Sequence, residues 1–250
     1  EQRGVLQPLS DAAALARAPA QSVGSGNMWI GLTRRARVIV YNKAMGLPEG
    51  VRDYEDLADP SLRGTICVRS STNVYNQSLL AAIIARQGRD AALAWAKGVV
   101  ANFARQPEGN DTAQIEATAA GLCRIAVVNS YYVARYAGTG DAAKDAIGAG
   151  VGVIFPDQET TGAHVNVSGA GVARHAPNPE GAEKLLAYLL RDEAQGAFAL
   201  GNNEYPVVAG VPAAGPVAAL GSFREDDLPM AALGENQAEA VKVLDEAGWK

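Results

Sequence analysis

Hydrophobic and polar positions along the chain switch repeatedly between a strand-like and a helix-like period. "MWIGLTRRARVIVYN" (28–42) is rich in β-branched and aromatic residues and predicts one extended segment, longer than the usual strand of about 5–6 residues. A strand of that length suits a crossing between two domains. Of its basic residues, Arg34 and Arg35 read as solvated at a domain edge, and Arg37 lies further in. "TICVRS" (65–70) predicts an apolar strand, and "STNVYNQSLLAAIIARQG" (71–88) a helix that Ser, Thr or Asn caps and Gly88 stops. Helices are expected at "DAALAWAKGVVANF" and "DTAQIEATAAG", then a strand at "CRIAVVN" (123–129) and a helix at "SYYVARYAG". "GVGVIFP" and "AHVNVSGAGVA" predict further strands, the second long, Gly-interrupted and a second candidate crossing. "NPEGAEKLLAYLLRDEAQGAFAL" (178–200) predicts one amphipathic helical region, and "AVKVLDEAGWK" a closing helix. Residues 1–27 predict a short helix and a polar Gly/Ser loop. Strands that alternate with helices predict α/β architecture with parallel sheets.

Composition narrows the function classes. The chain has 250 residues, 48% apolar and 20% charged, enough to bury a sizeable core in one large domain or two small ones. A net charge of −5 argues against non-specific nucleic-acid binding and against a polybasic membrane patch. No apolar run reaches the ~18–20 residues of a membrane span. The start, "EQRGVLQPL", shows no charged-then-apolar signal segment, so a targeting sequence is expected to be absent or already removed. Two cysteines, Cys67 and Cys123, and two histidines, His164 and His175, do not carry zinc-site spacing. "GSG" and "GAG" are not followed by the rest of a phosphate-loop pattern.

Two strand–helix junctions share one design. "TICVRS" runs into a helix with Tyr75 in its first turn, and "RIAVVN" runs into one with Tyr131 and Tyr132 in its first turn. In a parallel sheet such junctions lie at the carboxyl ends of strands, where ligands bind. Three phenols at one rim suit a hard, highly charged cation. Free tyrosine has a pKa near ~10, and a bound Fe³⁺ can displace its proton. The helix start at Ser71, Thr72 and Asn73, with Arg37, is the candidate site for an anion that completes the shell. The plainer reading is that each tyrosine buries its ring and keeps its hydroxyl wet. Two rivals stand beside the metal: an importer protein for an anion or small organic solute, and an enzyme using Tyr131 or Tyr132 as acid or base. The second lacks a carboxylate or His within the junctions to tune a phenol.

"GLTRRARVIVYNK", "LADPSLRGTICVRSSTNVYNQSLLAAIIA", "VVNSYYVARY" and "HVNVSGAGVARHAPNPEGAEKLLAYL" closely resemble the periplasmic ferric-iron-binding proteins of bacterial ABC importers. The likeness runs along nearly the whole chain. It implies a two-lobed class II periplasmic-binding-protein fold with crossing strands, a monomer that closes on Fe³⁺ and donates it to an inner-membrane ABC permease. It maps the family's iron ligands onto Tyr75, Tyr131 and Tyr132, and its arginine for a synergistic anion such as carbonate onto Arg37. The first lobe is expected to comprise 1–33 and 165–210, and the second 34–164 and 211–250. Relative to the family, the chain lacks an N-terminal segment bearing a further ligand, so the first lobe is expected to be incomplete.

Cys67 and Cys123 lie just before the two tyrosine-bearing junctions. An oxidising periplasm favours a disulfide between them, against two buried free thiols. His164 and His175 read as structural. Tyr41, Tyr54, Tyr188, Tyr205 and the three tryptophans read as packing residues, and Ser71 and Asn129 as helix caps.

Overall fold

The computed structural model describes residues 3–250, so the first two residues of the N-terminal segment lie outside it. In chain order the elements begin with β1 (Leu6–Gln7), α1 (Ala12–Leu15), β2 (Ile30–Asn42) and β3 (Ile66–Cys67). There follow α2 (Val74–Gln87), α3 (Arg89–Ala101), α4 (Asp111–Ala119), β4 (Ile125–Asn129) and α5 (Ser130–Ala134). Next come α6 (Ala142–Gly150), β5 (Val151–Ile154), β6 (Val165–Ala170) and β7 (Val172–Ala173). The chain ends with α7 (Pro179–Leu189), α8 (Asp192–Asn202), β8 (Tyr205–Pro206) and α9 (Met230–Glu246). The helical region over 178–200 consists of two helices, because Leu190 and Arg191 leave the helical path between α7 and α8. The long strand read in "AHVNVSGAGVA" is also interrupted, at Gly171. A side chain there would meet the Met28 carbonyl at 2.5 Å.

The chain divides into two compact units. The first contains residues up to Arg35, Asn166–Gly221 and Leu228–Ala231. The second contains Ala36–Val165, Ser222–Asp227 and Ala232–Lys250. The long strand β2 supplies Ile30–Arg35 to one and Ala36–Asn42 to the other, as its length suggests. The sequence reading placed all of 211–250 in the second lobe, whereas 211–221 here belongs to the first unit. The Tyr205 hydroxyl fastens it there by donating to the carbonyls of Val217 and Gly221, at 3.3 and 3.1 Å. In that unit β1 pairs antiparallel with β7, and β8 with β2, over a core that includes Ile30, Leu32, Leu186, Leu190 and Val207.

The second unit carries the tyrosines. Its strands run in the order β3-β4-β2-β5. β3 and β4 are parallel, while β2 is antiparallel to both β4 and β5, which corrects the expectation of parallel sheets. Strands buried on both faces read as continuous apolar runs whatever their direction, so the pattern carries no sign of it. The register sets Arg37 opposite Asn129, at the carboxyl end of β4. Every residue of β4 is buried. Ile39, Leu57, Ile66, Leu80, Val99, Ile125 and Leu244 form the core of this unit, and Trp95 and Trp249 pack against each other at 6.2 Å between ring centroids. Cys67 and Cys123 are joined by a disulfide with their Cα atoms 5.8 Å apart. Tyr54 and Tyr205 are buried, whereas Tyr188, read as a packing residue, is 50% exposed.

Candidate metal centre

Short turns after two strands deliver the tyrosines. After β3, Asn73 caps α2 by accepting from the Tyr75 backbone N–H at 3.0 Å, and so aims the first turn that carries Tyr75. After β4 the chain passes without a loop into α5, where the Asn129 side chain makes no cap bond. Ser130 instead accepts from the Ala36 N–H at 3.2 Å, which pins the start of α5 to β2. Tyr131 and Tyr132 follow in that first turn.

The three rings meet. The Tyr75 and Tyr131 hydroxyls are 3.1 Å apart, and the Tyr131 and Tyr132 ring centroids 4.3 Å apart with an interplanar angle of 31°. Tyr131 is buried, while Tyr75 and Tyr132 are half-buried. Burial, then hydrogen bonding with Tyr132 and Tyr75, pushes the Tyr131 phenol well above its ordinary value. Without a cation this cluster is therefore held protonated at Tyr131. Guanidinium groups surround it: Arg135 lies 4.9 and 5.1 Å from the Tyr131 and Tyr132 ring centroids, and Arg69 lies 5.4 Å from that of Tyr75. No group of three or more His, Cys, Asp or Glu side chains able to hold a metal occurs among the described residues. Phenol oxygens are hard donors, and several converging on one point suit a hard cation of high charge.

The expected anion residues fare differently. Arg37 is fully buried, and its guanidinium donates to Asp111 at 2.8 Å, to Asn129 at 3.2 Å and to Asn76 at 2.8 Å. It is not presented to an anion, which corrects the sequence reading. An inward place on β2 beside Asn129 buries it, and Asp111, remote in sequence, compensates its charge. Ser71, Thr72 and Asn73 form a hydrogen-bonded turn at the start of α2. The Thr72 N–H donates to Ser70 Oγ, the Asn73 N–H to the Ser70 carbonyl and the Tyr75 N–H to Asn73 Oδ1. The segment is a capped helix start in which these donors are engaged.

His164 is buried, pairs with Ser78 Oγ through Nε2 at 3.0 Å, and is pushed down to about 3 by burial and the Arg37 charge. It is a neutral core histidine. His175 is exposed. Sequence reasoning missed Asp111, Asn76 and Arg135. The first two carried no signal, whereas Arg135 did, since it stands three and four residues after the tyrosine pair on one helical face.

Residues 1–220 match the family described as Bacterial extracellular solute-binding protein. The chain belongs to that family. Iron uptake protein A1 of Synechocystis is 47% identical over 250 residues, a match that covers 100% of this chain and 69% of that protein. The solved Trichodesmium protein (IdiA, FutA) in complex with iron and citrate is 48% identical with a TM-score of 0.97, over 100% of this chain and 79% of that one. The ferric binding protein from Campylobacter jejuni is 36% identical with a TM-score of 0.93, again over 100% and 79%. This solute-binding protein has the α/β, two-lobed class II periplasmic-binding-protein fold of those structures. No helix among the described residues is long and apolar enough to cross a membrane.

Proposed function

We propose that this solute-binding protein carries ferric iron in the periplasm, held by the phenolate oxygens of Tyr75, Tyr131 and Tyr132. The observation that carries the reading is the convergence of the three rings, with the Tyr75 and Tyr131 hydroxyls 3.1 Å apart. The relatives named for iron uptake and ferric binding support it. Iron is cargo here, and the chain delivers it as a monomer to an inner-membrane ABC permease and catalyses no reaction. Each phenol releases its proton as the cation binds, so uptake liberates protons and acid drives iron off. A synergistic anion such as carbonate completes the shell. Arg135, exposed and stacked on two of the rings, is the cation we assign to such an anion in place of the buried Arg37.

The acid–base enzyme is disfavoured by Tyr131 itself. A general base works best with a pKa near the operating pH, and burial moves this phenol the other way. The test is a titration with ferric citrate. A visible phenolate-to-iron charge-transfer band is expected, weakened or shifted by Tyr→Phe at 75, 131 or 132. A colourless protein, or a band that none of the three substitutions alters, sinks the assignment.

A further inference from the structure

Beneath the tyrosines lies one connected group of buried polar side chains. Asp111, at the start of α4, is its hub. Its Oδ2 accepts from Arg37 Nη1 at 2.8 Å and from the Asn129 N–H at 2.7 Å, and its Oδ1 lies 3.4 Å from Arg69 Nη1. Arg37 Nη2 donates to Asn76 Oδ1 at 2.8 Å, and Asn76 Nδ2 donates to the carbonyls of Arg69 and Ser70 at 2.9 and 3.2 Å. Asn76 directly follows Tyr75, and Asn129 directly precedes the Ser130-Tyr131-Tyr132 turn. The group therefore grips both tyrosine-bearing junctions at once. Arg37 also lies against the Tyr75 ring, 5.8 Å from its centroid.

Burying a guanidinium and a carboxylate together carries a desolvation cost that well-packed apolar residues of similar volume avoid. Stability alone is thus a weak reason for the pair. A connected set of buried hydrogen bonds, by contrast, fixes directions that apolar packing leaves looser, even with Arg37 Nε, Arg69 Nε and Asn129 Nδ2 left unpaired. We propose that Arg37 and Asp111, through Asn76 and Asn129, are the positioning unit of the tyrosine cluster. They hold the two junctions at a spacing that lets all three phenols reach one cation. This inference rests on the ferric reading above and adds residues that touch neither iron nor anion.

Two substitutions test it in the full chain. Asn76→Ala removes the link from Arg37 to α2 and leaves the Arg37–Asp111 pair in place. Arg37→Lys keeps a buried positive charge beside Asp111 but lacks the planar fork that reaches Asn76 as well. Each variant is checked for a native circular-dichroism spectrum, loaded with ferric citrate and stripped with a competing chelator. Iron release is expected to accelerate on the order of 10–100-fold, as for other residues that orient metal ligands. The charge-transfer band is expected to move, which general destabilisation would not cause. A wild-type band and release rate in both variants overturn the proposal. If Arg37→Lys does not fold, Asn76→Ala decides alone. If the unaltered chain shows no ferric band, the ferric reading fails, and a crystal structure of iron-free Asn76→Ala decides the positioning claim. A Tyr75–Tyr131 hydroxyl separation longer than the 3.1 Å found here upholds the claim, and an unchanged one overturns it.

Discussion

At the Tyr75 junction a strand of two residues leads through a hydrogen-bonded turn into a helix of 14 residues. At the Tyr131–Tyr132 junction a strand of five buried residues leads without a loop into a helix of only five. The first is aimed by its own sequence, through Asn73 and the Ser70–Thr72 turn. The second has no cap of its own and takes its direction from β2, through Ala36 and through Arg37 against Asn129. Local turn chemistry places one tyrosine, and tertiary packing places the other two. A cation that binds all three must therefore rely on something shared by both junctions, and Asp111 is that element.

The largest effect is expected from Asp111→Ala, which strikes both junctions together. It leaves the fully buried Arg37 without its counter-charge and Arg69 without its partner. Removing one partner of a buried pair costs about 3–5 kcal/mol. Urea unfolding is expected to show a loss of that size, and iron binding is expected to fall with it. A loss below ~1 kcal/mol, the range of an exposed pair, would show that the network is not needed for the fold.

Asn73→Ala separates the junctions. Loss of an N-cap costs about 1 kcal/mol, and here it should loosen only the start of α2. Amide hydrogen exchange is expected to speed up in the first turn of α2, with the amides of 130–134 unchanged. Equal acceleration at both would mean that the junctions are not independently aimed.

The smallest change distinguishes the phenols by proton affinity. In the folded protein the Tyr131 value is raised above that of the unfolded chain, so this group favours the fold at every pH below the ordinary value of ~10. That contribution is lost only as pH rises beyond it towards the folded value. In a spectrophotometric titration of the iron-free chain, Tyr131→Phe is expected to leave the phenolate signal near pH ~10–11 unchanged. A drop of one titrating tyrosine in that range would show that Tyr131 ionises readily and that the cluster is more open than its burial implies.

Much of the candidate site was legible because its signals are local. Tyr75, Tyr131 and Tyr132 stand in the first turns of helices that follow apolar strands, and the cap at Asn73 is written beside the first of them. Arg37 was legible as a charge in a strand but not as a buried one. That depended on the register of β2 against β4, and two directions of pairing suit the same apolar run equally well. Asp111 looked like an ordinary acid at a helix start, a place where acidic residues are favoured with or without a partner.

By itself, then, the sequence determined the order of strands and helices and the placing of three phenols at strand ends. Propensity, capping and apolar period act over a few residues, and each of these features is set on that scale. Only the tertiary structure decided that β2 runs antiparallel, that Arg37 is enclosed rather than offered to an anion, and that Asp111 joins the two junctions. Arg37 and Asp111 are 74 residues apart, and nothing short-ranged connects them. Their meeting follows from chain segments packed to exclude water, which obliges each buried charge to find its opposite wherever the fold delivers it.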